Sequence, residues 1–207
     1  MLSRRDLQNR FKQFAAHYYQ SKTDLMRRLA TQPQNPDALV IACSDSRIDP
    51  AILFNAEPGV FFSVRNIANI VPPHDSGEIG DSTWSTIEFA VCELGVSSII
   101  VLGHSSCGGV QYLLKMMQEN TSDTFKFLPN WVSVAATPAL ESMLHEHQHE
   151  TDNEIFEVQN IKQSIENLMA CSWIKDRLSD NKLSINGFRF NIEKGMLDTV
   201  FTTDASE

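Results

Sequence analysis

Positive charge is scarce in this chain. Its 207 residues include 17 Lys and Arg against 26 Asp and Glu, a formal charge of −9, which argues against nucleic acid or an anionic membrane as a partner. Long apolar runs are missing: nothing approaches the roughly eighteen consecutive apolar residues that a membrane span needs. Met1-Leu2-Ser3-Arg4-Arg5-Asp6 leads into mixed polar sequence rather than an apolar signal core. Cysteine is limited to four residues, with none of the dense spacing that marks a disulfide scaffold. There is no internal repeat, low-complexity tract or linker. These absences leave one soluble domain, large enough for a real core, in a reducing cytoplasm.

What is present is an interleaving of two periodicities. Leu7, Phe11, Phe14, Tyr18, Leu25 and Leu29 recur at helical spacing and predict one or two helices in an N-terminal arm over 1–36. Leu39-Val40-Ile41-Ala42 and Ile99-Ile100-Val101-Leu102 read as buried parallel strands. Val60-Phe61-Phe62-Ser63-Val64, introduced by Glu57-Pro58-Gly59, reads as another. Helices are expected over 82–94, 108–117, 138–149 and 154–178, the last broken near Ser172. Leu183-Ser184-Ile185 and Phe188-Arg189-Phe190 alternate like a late strand, paired with 196–201. Strands interleaved with helices indicate an α/β core over 37–207.

Two clusters follow the two apolar strands: Cys43-Ser44-Asp45-Ser46-Arg47 and His104-Ser105-Ser106-Cys107-Gly108-Gly109. Ligands of open α/β sheets bind beyond the carboxyl ends of the strands, which is where both clusters fall. Cys43, His104 and Cys107 make a three-ligand zinc set that leaves a fourth tetrahedral position open, as in catalytic sites. Two thiolates cancel the ion's double charge, so a bound water is less acidified than on three neutral histidines. Asp45, gripped by the planar fork of Arg47, can make up for that. Gly108 and Gly109 let backbone approach the pocket and open a helix whose N-terminus tolerates anions. The plainer alternative is two buried thiols and a structural ion pair.

Other features carry less. His145-Glu146-His147-Gln148-His149 fits a zinc-peptidase pattern, but Glu141, Glu150, Thr151 and Asp152 around it indicate a solvated helix end. Gly103-His104-Ser105-Ser106-Cys107 approaches a nucleophile elbow and lacks its last glycine. Cys92 and Cys171 read as packing residues, and His17 and His74 as surface residues.

The two clusters, together with Val64-Arg65-Asn66-Ile67-Ala68-Asn69-Ile70-Val71-Pro72-Pro73 and Ser85-Thr86-Ile87-Glu88-Phe89-Ala90-Val91, resemble a β-class carbonic anhydrase of the plant-like branch. The likeness extends over nearly the whole chain. It implies a central, mostly parallel sheet of about four parallel strands plus an antiparallel edge strand, flanked by helices. It implies one Zn2+ per chain on Cys43, His104 and Cys107, and reversible hydration of carbon dioxide to bicarbonate by water that zinc activates and the Asp45–Arg47 pair orients. It implies self-association as a homodimer that can pair into a tetramer, with Gln34 hydrogen-bonding substrate from the neighbouring subunit. Phe62 and Ile67 match apolar pocket walls, and Gly108 lies beside the pocket. Phe89 stands where many relatives have tyrosine, and Ser82 and Thr83 where glycine or alanine is frequent. Val40 and Ala42 occupy the places of a tryptophan and a glycine that serve bicarbonate regulation in another branch, so that regulation is not expected. A same-fold protein acting on carbon disulfide or carbonyl sulfide, or a non-catalytic zinc-binding homologue, is the alternative.

Overall fold

A parallel sheet covered by helices shelters an unbroken apolar run on both faces, and all six residues of β1 (Ala38–Cys43) are buried. The computed structural model describes residues 1–118, 125–146 and 153–204. Around β1 the sheet adds β2 (Phe61–Asn66), β3 (Ser98–His104), β4 (Ser184–Asn191) and β5 (Met196–Thr202), in the order β2-β1-β3-β4-β5. β1 pairs in parallel with both β2 and β3, β3 with β4, and β5 closes the edge antiparallel to β4. The chain runs outward from β1 to β2 and then returns to β3 on the other side. The topological switch point therefore lies between β1 and β3, where open α/β sheets place their ligands. Cys43 ends one of these strands and His104 the other.

The chain divides into two compact units, Met1–Asn35 and Pro36–Glu207. The first holds α1 (Arg4–Ala15), a wide turn over Ala16–Ser21, and α2 (Thr23–Thr31). Ser3 and Asp6 form a reciprocal capping box at the start of α1. None of the residues of these helices is buried, and Leu7, Phe11, Phe14 and Leu29 are exposed.

The second unit layers helices on both faces of the sheet: α3 (Pro50–Leu53), α4 (Asp81–Glu88), α5 (Gly108–Gln118), α6 (Leu128–Ser133), α7 (Pro138–Glu146), α8 (Glu154–Ala170) and α9 (Ser172–Ser179). Leu39, Ile41, Ile99, Val101 and Ile185 face Ile87 of α4, Ile161 and Ile165 of α8, and Ile174 of α9. Val40, Ala42 and Leu102 face Val110 and Leu113 of α5, Val132 of α6 and Leu140 of α7. Each fully buried Ile or Leu contributes about 1.5–3 kcal/mol. An exposed ion pair such as Arg27–Asp24 contributes about 0–1 kcal/mol, so the two apolar layers hold the sheet.

Some elements differ from expectation. The predicted helix over 82–94 ends at Glu88 and continues as a wider turn over Phe89–Glu93. This turn directs Ala90 and Val91 into the core and leaves Cys92 exposed, not packed. The break predicted near Ser172 falls at Cys171, whose extended ψ of 128° separates α8 from α9. Helix α7 is described to Glu146, so His147 and His149 lie outside the described residues. Among the described residues no helix is long and apolar enough to cross a membrane.

Candidate metal centre

Cys43, His104 and Cys107 are all buried, and their ligand atoms lie within 4.8 Å of one another. The two sulfurs are 3.8 Å apart and unbridged. Two sulfurs at about 2.3 Å from one tetrahedral zinc ion must themselves be about 3.8 Å apart, so the spacing fits. His104 Nδ1 lies 2.9 Å from the Ser105 carbonyl. A carbonyl only accepts, so Nδ1 carries the proton and Nε2 presents its lone pair. That Nε2 is buried without a hydrogen-bond partner, a costly state unless a metal takes it. The donor set therefore fits zinc: one imidazole nitrogen, oriented by its other ring nitrogen, and two sulfurs.

Its hydrogen bond with Cys107, aided by His104, draws Cys43 below the ordinary thiol range against the opposing effect of burial. Cys107 is pushed up by that same bond and by burial. For His104, burial opposes protonation, but the neighbouring Cys43 sulfur, the Ser105 carbonyl and Asp45 together raise its pKa.

Asp45 sits two residues beyond the first ligand, in the loop that leaves β1. Arg47 donates to it from three nitrogens: its backbone N–H and Nε to Oδ1, both at 2.9 Å, and Nη2 to Oδ2 at 2.7 Å. These bonds hold the Asp45 carboxyl well below the usual carboxylate range. The same Arg47 Nη2 reaches the Ser106 carbonyl at 3.3 Å and so ties the two ligand loops together. Asp45 Oδ2 lies 3.8 Å from His104 Nε2, which puts an ionised acceptor beside the ligand atoms.

Arg65, whose role the sequence reading missed, fixes this loop from β2. It donates to the carbonyls of Cys43 (3.1 Å), Asp45 (2.7 Å) and Ile48 (3.3 Å), and to the Asp49 carboxylate (3.3 Å). Its signal was its place on β2, opposite Ala42.

The remaining predicted residues divide. Gly108 opens α5 with free space where a side chain would point. Gly109 is the constrained glycine: an added Cβ would lie 2.6 Å from Ile67 Cγ2, 2.9 Å from Ala68 Cβ and 3.1 Å from Ala68 N. Ala68 and Asn69 both have positive φ, 64° and 48°, so this turn has little freedom to retreat. Gly109→Ala is expected to cost about 1–3 kcal/mol, lowering the melting temperature by about 2–4 °C per kcal/mol. Gly108→Ala should melt no lower than wild type, and thermal scans of both variants check the contrast. Ile67 stands half-exposed at this turn, its carbonyl accepting from Trp131 Nε1 at 2.9 Å. Phe62 and Phe89 are brought to each other, with ring centroids 5.8 Å apart. Gln34 is exposed, in the N-terminal unit.

An open, mostly parallel sheet with a sulfur-rich, three-donor group at its switch point defines an α/β protein with the donor set of an open zinc site. Residues 38–197 match the Carbonic anhydrase family, and the chain belongs to that family, in its β class. It is 39% identical over 191 residues to "Beta carbonic anhydrase 5, chloroplastic" of Arabidopsis thaliana, covering 90% of this chain and 61% of that protein. It is 33% identical over 192 residues to "Beta carbonic anhydrase 3" of the same plant, covering 91% of this chain and 73% of the relative. The chain thus spans less than two thirds of the chloroplastic relative's length. A tetrameric β-carbonic anhydrase of the ascomycete Sordaria macrospora superposes with a TM-score of 0.80 at 26% identity, covering 96% of this chain and 97% of that one.

Proposed function

We propose that this protein catalyses the reversible hydration of carbon dioxide to bicarbonate and a proton, with one zinc ion per chain held by Cys43, His104 and Cys107. The observation that carries the reading is the buried, unpartnered His104 Nε2 beside two sulfurs at tetrahedral spacing, with Asp45 at 3.8 Å. Zinc, when bound, supplies a Lewis acid and a water acidified towards neutrality. The chain's own residues do the rest. Asp45, fixed by Arg47, would accept a hydrogen bond from the attacking oxygen, which keeps its hydrogen, and so turn that oxygen's lone pair towards the carbon of the substrate. Arg47 keeps the carboxylate in place and in its charged form. Ile67 and Gly108 offer an apolar, uncrowded surface that suits carbon dioxide, which has no net dipole.

The same reading includes self-association as a homodimer, with tetramers as a further step, and a cytoplasmic location. Phe62 lies four residues down β2 from Asn66, the partner of Cys43, which is about 13 Å along the strand. That distance supports the Phe62–Phe89 pair serving the pocket of a second copy, as Gln34 would. The exposed apolar side chains of α1 also support a self-associating arm.

Zinc analysis of freshly purified protein, with carbon dioxide hydration followed by stopped flow, tests the reading. About one zinc per chain is expected, with activity lost on chelation and restored by zinc. Metal-free protein that still hydrates carbon dioxide, or zinc-loaded protein that does not, would refute it.

A further inference from the structure

Glu157, Asn160, Ser164 and Asn167 of α8 follow one another at spacings of three and four residues, so they form one row along the helix. The row faces inward, and its first three members are at most 5% exposed. Asn160 donates to the Ala68 carbonyl at 2.7 Å. Ser164 Oγ donates to the Asn69 carbonyl at 3.2 Å and accepts from the Val71 N–H at 3.1 Å. Asn167 donates to the Val71 carbonyl at 2.7 Å. These three hold the positive-φ turn that packs against Gly109.

Glu157 stands apart. Its Oε1 accepts the Cys107 N–H at 3.2 Å, and its Oε2 accepts from Arg189 Nε at 2.8 Å. Glu157 and Arg189 are each only 3% exposed. Arg189 Nη1 also meets Glu154 at 3.3 Å and Asp198 at 3.4 Å, so its charge does not depend on Glu157 alone. What Glu157 supplies is a fixed acceptor for the backbone of a metal ligand, at the point where α5 begins and its first N–H groups lack helical partners.

We propose that Glu157 is a positioning residue of the metal centre: through the Cys107 N–H it sets where the Cys107 sulfur stands relative to Cys43 and His104. The inference rests on the zinc reading above. Partners of ligands at this remove commonly change metal affinity about 10–100-fold when lost.

Two conservative variants separate this role from charge balance. Glu157→Gln keeps the length but gives up the charge and offers one acceptor oxygen to two N–H donors, so Arg189 takes it and the amide NH2 faces the Cys107 N–H. Glu157→Asp keeps the charge but is one methylene too short to serve both partners. The shorter, charge-assisted bond to Arg189 wins, and Cys107 is released. The readouts are the rate of zinc release to an excess of chelator and the thiolate-to-metal absorption of the Co2+-substituted protein. Glu157→Gln should release zinc faster than wild type with a weakened thiolate band, because its amide nitrogen cannot accept the Cys107 N–H. Glu157→Asp should release it about 10–100-fold faster, with a weakened thiolate band. A Glu157→Asp chain that holds zinc like wild type overturns the proposal, because charge balance alone then accounts for Glu157, and so does a Glu157→Gln chain with an unaltered Co2+ spectrum. If the wild-type protein takes up neither Zn2+ nor Co2+, the zinc reading and this inference both fall. If the wild type loads normally and either variant behaves like it, only the inference does.

Discussion

Cys43→Ala is expected to empty the metal centre, lowering zinc from about one per chain to near none and abolishing carbon dioxide hydration. The reason is arithmetic. Among the described residues only three protein donors converge here, and two are too few to hold zinc against solvent. The fold should survive, because Leu39 to Ala42 of β1 remain buried between the two apolar layers. Far-ultraviolet circular dichroism alongside elemental analysis separates loss of metal from loss of structure. Full zinc retention in the variant would remove Cys43 from the ligand set. The wild-type pair also fixes a direction with pH. In the metal-free site Cys43 gives up its proton readily, while the Cys107 proton is held above the ordinary thiol range and His104 is raised. Zinc must displace those protons. Loading near neutral pH should therefore release about one proton or more per ion, and uptake should weaken as pH falls. Titrating zinc into lightly buffered metal-free protein measures both.

Asp45→Asn should retain zinc and lose at least about tenfold in kcat/KM, as expected when an oriented acid–base partner is removed. Asparagine can still take a hydrogen bond from Arg47 at its one oxygen, so the loop should stay closed. It cannot present the anionic lone pair that sits 3.8 Å from His104 Nε2 in the wild type. The loss should be nearly independent of pH between about pH 6 and 9. Arg47 holds the Asp45 pKa below the usual carboxylate range, so the group is already ionised throughout that window. The stability it contributes is present above the ordinary carboxylate pKa and is lost only as pH falls through the lower, folded-state value. Stopped-flow profiles of wild type and variant, each with measured zinc content, decide the matter. A variant that kept full kcat/KM would show that Asp45 and Arg47 are structural.

Much of this site was legible in the sequence because its chemistry is local. Cys43, Asp45 and Arg47 follow one apolar strand within five residues, and His104 and Cys107 follow the other. Residue type and strand polarity alone bring them to one end of the sheet. The two layers were legible for a similar reason: apolar runs without polar breaks leave a parallel sheet as their shelter. What stayed hidden depends on partners far away along the chain. Arg65 and Glu157 look like ordinary charged residues until β2 is laid beside β1 and α8 is packed across β3 and β4. Gly109, not Gly108, is the obligatory glycine, because the turn at Ala68 packs against it.

The sequence by itself determined which atoms meet a metal and which carboxylate stands next to them, since these follow from short spacings after strands. Only the tertiary structure decided how tightly those atoms are held. The bonds that Arg65 and Glu157 give the ligand loops join segments sixteen to fifty residues apart, and a buried polar group reveals its partner only once the chain has closed around it.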